Sequence, residues 1–329
     1  MRTPALPALA ALTLLLSGCS PVDAPGPTTT PESTEPAVRT LDNCGVRVPV
    51  GEPVERAVAL EQGASDTLLM LGAGDQIAGV GHQKDNPPEG TQTPPILSPA
   101  IPTAEQIRAA DADFVYSPFA QVWTADAAGT REEWQRLGVR TYQSNTECRD
   151  YGGNAGQSAF SLIKKDIGEL GELFGREGEA AELAQRLDNA VAGANQAPHG
   201  TTFLLLYSTL GGAPYVAGGP SIPTEMGEAV NMTNVFADAK EEWPQVSWEA
   251  LASADPDVIV LADLPARGKP GDTWQEKVAD LEANPGTRNL RAVKERRYII
   301  INGVTTSASA RSYQGLEQWS DAVGAGIAG

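Results

Sequence analysis

From residue 56 onward, short apolar runs alternate with stretches whose apolar positions recur every three or four residues. The runs at 57–60, 77–80, 114–116 and 139–142 are predicted strands, and the stretches at 64–71, 103–110 and 130–137 are predicted helices. Strands separated by helical crossovers pair in parallel, so this half of the chain reads as an α/β unit. After Cys148 the period changes. Leu162, Ile163, Ile167, Leu170, Leu173 and Phe174, then Ala180, Leu183, Leu187 and Val191, keep helical spacing with an interruption at 175–178. Two successive helices are predicted there, and no strand. Alternation resumes with strands at 203–207, 215–217, 258–261 and 298–301 and helices at 224–231, 247–254, 272–283 and 312–323. The expected architecture is α/β with two lobes, each a mainly parallel sheet flanked by helices. Its expected bounds are 41–156 for the first lobe, 157–198 for a helical connection and 199–329 for the second lobe.

One phrase occurs twice. TAEQIRAADADFVYSP begins at Thr103 and SWEALASADPDVIVLA at Ser247. In register they match a hydroxyl with a hydroxyl, Glu105 with Glu249, Ile107 with Leu251, Ala110 with Ala254, Asp111 with Asp255 and Asp113 with Asp257. Each copy occupies the corresponding helix and strand of its lobe. Thr103 and Ser247 are placed as N-caps, which puts each glutamate in a first helical turn. The helix dipole favours a carboxylate there by a few tenths to about 1 kcal/mol. That preference accounts for one glutamate well and for a matched pair less readily.

The first forty residues stand apart. Residues 1–19 carry Arg2, an apolar run at 9–16 and the sequence Leu-Ser-Gly-Cys. The run is too short to span a bilayer and is built like an export signal. Ser17 and Gly18 before Cys19 resemble a lipobox, which implies cleavage there and a lipid on Cys19. Residues 20–40 are rich in Pro, Thr, Ser and Glu, with almost nothing apolar to bury, and are expected as a disordered tether. Contact with the membrane would then run through the lipid alone. Cys44 and Cys148 remain. An exported protein is expected to pair them, closing a loop of about 100 residues worth about 4 to 5 kcal/mol in the chain-entropy model.

Charge and histidine content exclude several functions. With 42 acidic against 24 basic residues the net charge is −18, which disfavours nucleic acid as a partner. The two histidines, His82 and His199, are too few for a His-rich metal site, and hydrolase triads lack a base. No Gly-Lys-Ser/Thr, Gly-x-Ser-x-Gly or His-Glu-x-x-His sequence occurs. LGAGDQIAGVG, from Leu71, follows a helix and precedes a strand, the reverse of a dinucleotide fingerprint, and reads as a helix C-cap and tight turn. No cofactor and no enzymatic activity are expected.

The lipobox and tether, the two α/β lobes around a helical spine, ALEQGASDTLLMLGAGDQIAGVG and EEWPQVSWEALASADPDVIVL together resemble the metal-chelate class of ABC-transporter substrate-binding proteins. Ligands of that class are ferric siderophores, haem or cobalamin. The resemblance spans about residues 44–323, and its most specific parts are Trp-Pro-Gln-Val-Ser-x-Glu at 243–249 and the paired Ala-Asp-x-Asp phrases. It implies a long backbone helix between the lobes, held here by 175–196. The implied partners of this monomeric receptor are a small-molecule metal chelate and an ABC permease dimer with its ATPase subunits.

The resemblance further implies a cleft lined by strand-end loops. Carried onto this chain, the ligand-binding residues are Glu61, His82, Lys84, Ser117, Phe119, Trp123, Tyr207, Tyr215, Trp243 and Arg311. Trp123 and Trp243 are each expected to present a ring face to the ligand, as aromatics do for bulky chelates. Glu105 and Glu249 match the glutamates that, in this class, pair with arginines on the two permease subunits. The cations offered by these loops are mainly Lys84 and Arg311. A neutral or weakly charged chelate, such as a ferric hydroxamate or a corrinoid, therefore suits the cleft better than an anionic catecholate complex. The expected function is capture of such a chelate outside the membrane and its delivery to the permease. A surface sensor or an α/β enzyme on the same scaffold is the alternative.

Overall fold

A hairpin that the apolar pattern does not reveal opens the described chain. Strands β1 (Thr40–Asn43) and β2 (Val46–Pro49) pair antiparallel around Cys44 and Gly45. These two have φ of 53° and 78°, the left-handed pair that suits a two-residue hairpin turn. Cys44 is bridged to Cys148 with their Cα atoms 5.6 Å apart, which ties the hairpin to the end of the first lobe. The structure, a computed structural model, describes residues 39–150 and 153–327; the export signal, Cys19 and nearly all of the expected tether lie outside the described residues.

The first lobe runs β3 (Ala57–Ala59), α1 (Gln62–Met70), β4 (Ile77–Gly81), β5 (Ile96–Ser98), α2 (Ala104–Ala109), β6 (Phe114–Ser117), α3 (Arg131–Arg136) and β7 (Arg140–Gln143). Its sheet has the order β5-β4-β3-β6-β7, and every pair is parallel. The glycine-rich phrase from Leu71 is a helix end, Gly72 at φ 72°, a short turn over Gly74–Gln76 and then β4.

Two helices of 16 residues follow, α4 (Ala159–Phe174) and α5 (Glu177–Ala192), each about 24 Å long. Gly175, at φ 65°, caps the first and lets the chain reverse. Lys164 on α4 lies 2.7 Å from Asp188 on α5, as an antiparallel pair requires. At the start of α4 the Ala159 amide donates to Glu225 of the second lobe, 2.6 Å away, and at its end Phe174 packs edge-on against Phe114 of the first sheet. The α5 helix begins beside Asp75, bonded to Arg176, and ends where the Asn195 amide donates to Ser320. The backbone between the lobes is thus a helical hairpin, each arm of which reaches from one lobe to the other.

The second lobe runs β8 (Thr202–Ser208), β9 (Tyr215–Val216), α6 (Ile222–Ala229), β10 (Thr233–Asn234), α7 (Trp248–Ala254), β11 (Val258–Asp263), α8 (Trp274–Ala283), α9 (Arg291–Lys294), β12 (Tyr298–Asn302) and α10 (Ser312–Gly324). The parallel order is β10-β8-β11-β12, with β9 antiparallel beside β8. Residues 203–206 and 258–262 are wholly buried, as strands covered by helices on both faces must be.

The repeated phrase has the same structure twice. Thr103 accepts from the Gln106 amide at 3.3 Å and Ser247 from the Ala250 amide at 3.1 Å. Past each helix an aspartate turns left-handed, Asp111 at φ 49° and Asp255 at φ 40°. Two residues later Asp113 accepts from the Glu55 and Arg56 amides, at 3.0 and 2.9 Å, and Asp257 from the Thr202 amide and hydroxyl, both at 2.9 Å. In each lobe the second aspartate pins the start of the central strand, β3 or β8, to the start of its neighbour, β6 or β11.

Candidate functional site

In the first sheet the chain leaves β3 to one side for β4 and returns on the other for β6. In the second it leaves β8 toward β10 and returns for β11. Each lobe therefore has a switch point, and open α/β sheets hold ligands in the crevice beyond the strand ends there.

Glu61 follows β3 and caps α1, its carboxylate accepting from the Gly63 amide at 2.6 Å. It also lies 2.7 Å from the Lys84 ammonium, and the two residues are only 1% and 8% exposed. Lys84 arrives on the loop after β4. That loop is held to α1 because Gln62 accepts from the Lys84 and Asp85 amides, at 2.8 and 3.1 Å. The ammonium sits 5.8 Å from the ring centre of Phe119, in the loop after β6. Ser117 shapes that loop, accepting from the Phe119 amide and donating to its carbonyl. His82 precedes Lys84 with φ 49°, a conformation uncommon for a residue with a Cβ. Its Nδ1 is buried without a hydrogen-bond partner among the described residues. Burial, then the Lys84 charge and more weakly Arg267, holds the imidazole pKa below its usual value, against Glu61.

In the second lobe Tyr207, near the end of β8, packs on Trp243 with ring centres 4.7 Å apart and planes tilted by 43°. Arg267, in the loop after β11, lies 5.2 Å from the Tyr207 ring centre and donates to its hydroxyl at 3.3 Å. An ion pair with buried Asp272 fixes that guanidinium. Tyr215 is half-buried on β9, bridged to Gln245.

A cavity of about 250 Å³ opens between the lobes. Pro118, Phe119, Thr146, Glu147, Arg149 and Asp150 line it from the first, and Pro220, Ile222, Glu242, Ser307 and Ala308 from the second. Burial, and next the charge of Glu147, pushes the Glu242 carboxyl up to about 7, against Arg149.

The structure thus brings Glu61, Lys84 and Phe119 together on one side, and Tyr207 and Trp243 on the other, while two expected ligand contacts are engaged elsewhere. Trp123 packs on the outer core of the first sheet with Val58, Leu60, Ile107 and Trp134, its indole N–H buried without a partner among the described residues. Arg311 is buried against Asp66. Glu147, Arg149, Glu242 and Arg267 were not anticipated, although Arg267 occupies a strand-end loop and Glu242 adjoins Trp243. Glu105 and Glu249 are exposed, each the second residue of its helix.

A family model described as periplasmic binding protein matches residues 58–304. A vitamin B12-binding protein of Vibrio parahaemolyticus is 26% identical over 211 residues, 63% of this chain and 70% of that one. Among solved structures, an ABC-type Fe3+-hydroxamate transport system from Saccharomonospora viridis aligns with a TM-score of 0.69 at 27% identity, covering 88% of this chain and 99% of its own. A periplasmic binding protein from Veillonella parvula aligns with a TM-score of 0.73 at 20% identity, over 87% and 97%. At that identity the likeness is one of fold.

Proposed function

Because the chain belongs to the periplasmic binding protein family, we propose that it is an extracytoplasmic receptor that captures a neutral or weakly charged metal chelate between its lobes. A ferric hydroxamate or a corrinoid is the ligand class. The receptor then delivers its ligand to an ABC permease, held near the membrane by a lipid on Cys19, with Glu105 and Glu249 contacting one permease subunit each.

The observation that carries the ligand class is the pairing of the cations around the cleft. Lys84 is matched by Glu61 at 2.7 Å, Arg149 by Glu225 at 3.2 Å, and Arg267 by Asp272. A catecholate complex carries several negative charges and would have to compete with a carboxylate for each of these groups. A chelate of low charge asks instead for apolar faces and a few polar edges, which Tyr207, Trp243 and Phe119 supply. The ligands in the names of two relatives, vitamin B12 and an Fe3+-hydroxamate, are of this low-charge kind.

Tryptophan-fluorescence titration of the mature protein with a ferric hydroxamate, a ferric catecholate, haem and cobalamin tests the reading. The hydroxamate or cobalamin should bind most tightly. A catecholate complex binding more tightly than both overturns it.

A further inference from the structure

The interlobe cavity lies between loops of the two lobes, among them Pro118 and Phe119 after β6 and Ser307 and Ala308 after β12, and its lining is acidic. Glu147 and Asp150 enter it from the first lobe and Glu242 from the second, against one basic lining residue, Arg149. Arg149 is already bonded to Glu225 on α6. Glu147 is held in place by the Ala120 amide, which donates to it at 2.9 Å. Glu242 makes no ion pair among the described residues. Burial and the neighbouring Glu147 charge make the Glu242 carboxylate costly to ionise, which does nothing for the empty fold, since burying like charges together is unfavourable. A cation between them would relieve that cost, and with one carboxylate on each lobe it would also draw the lobes together.

We infer that Glu147 and Glu242 set the charge class of the ligand. A chelate bearing a cationic group, such as a primary ammonium tail, seats that group between the two carboxylates, and a chelate with an anionic group at that end is turned away. This rests on the chelate-receptor reading above and narrows it from low charge to positive charge at one end.

The test uses one ferric trihydroxamate core in three forms: with a free terminal amine, N-acetylated, and N-succinylated. The mature protein should bind them in the order amine, acetyl, succinyl, with about tenfold or more between the first and last, because like-charge contacts are costly at a desolvated surface. Glu147→Gln and Glu242→Gln should each compress that spread. Glu242→Lys should reverse the order. Equal affinity of the unaltered protein for all three forms overturns the charge assignment while leaving a chelate receptor standing, and so does a spread that survives both glutamine substitutions. Failure of all three to bind removes the hydroxamate reading and this inference with it.

Discussion

The Arg311 guanidinium, at the start of α10 in the second lobe, lies 3.0 Å from the Asp66 carboxylate on α1 of the first. Around this pair Gln62 donates to Asp66 at 2.8 Å, Asn302 to Asp85 at 2.7 Å, and the Ala310 amide to the Thr67 hydroxyl at 3.1 Å. One helix, α1, therefore carries both the interlobe clasp and, at its N-cap, the Glu61 carboxylate paired with Lys84. Removing one partner of a buried ion pair leaves an uncompensated charge, at a cost of about 3 to 5 kcal/mol. Arg311→Met should lose about that much stability in urea melts near pH 8, and Arg311→Met with Asp66→Leu should recover most of it. A single variant as stable as the parent would show that the clasp contributes nothing.

Three carboxyls, buried Asp66 and Asp166 and half-buried Glu242, give stability a pH dependence of definite sign. Burial pushes Asp66 up to about 7 despite Arg311, Asp166 to about 6 despite bonds from Ser144, Asn145 and Tyr142, and Glu242 to about 7. Unfolded, these groups titrate near 3.8 for aspartate and 4.5 for glutamate. Between those values and about 7 the folded state holds more protons, so stability falls as pH rises through the window. Thermal melts should give a higher Tm near pH 5 than near pH 8, and Asp66→Asn should flatten the slope. A Tm that rises from the lower pH to the higher contradicts the assignment.

The two tryptophans that the sequence places in the cleft should differ in their effects. Trp243 packs at a tilt on Tyr207 and adjoins the cavity residue Glu242, whereas Trp123 packs against Val58, Leu60 and Trp134. Trp243→Ala should weaken chelate binding with a small change in Tm. Trp123→Ala should leave affinity near the parent value and lower stability by about 3 kcal/mol, as loss of a packed aromatic does. Titrations and melts on both variants decide this, and the opposite assignment would place Trp123 in the cleft.

Strands with a continuous apolar run were legible in the sequence, since β3, β6, β8 and β11 need helices on both faces and keep their polar residues to their ends. Strands β5 and β10 were not. Ile96 in β5 is exposed and flanked by Pro94, Pro95 and Pro99, and β10 is the two residues Thr233 and Asn234. The helix break was readable because Gly175 is the residue best suited to φ 65°. At the site, position was readable and partnership was not. Strand-end aromatics could be picked out by their place in the chain, but whether Lys84 is free or matched depends on Glu61, brought beside it by the sheet. The surroundings of Glu242 are supplied partly by Glu147 and Arg149 of the other lobe.

Glu105 and Glu249 share more than a place in a repeat. Each is exposed at the second position of a helix capped by a hydroxyl, and neither forms an ion pair with a described residue. Asp113 and Asp257 hold the strand that follows each helix in equivalent places, so the two helix starts are built alike in the two lobes. An exposed ion pair contributes little alone, yet two carboxylates on a rigid frame can fix register on a two-fold partner and steer its approach. Glu105→Arg with Glu249→Arg should leave chelate affinity of the isolated protein unchanged and abolish uptake into cells, each single change being intermediate. The reversal costs each helix a few tenths to about 1 kcal/mol through its dipole, too little to unfold a lobe. Glu105→Gln with Glu249→Gln, which keeps the shape and removes the charge, should reduce uptake less than the double reversal. Normal uptake by the arginine pair ends the docking assignment, and loss of chelate binding by the same pair would put these glutamates at the cleft.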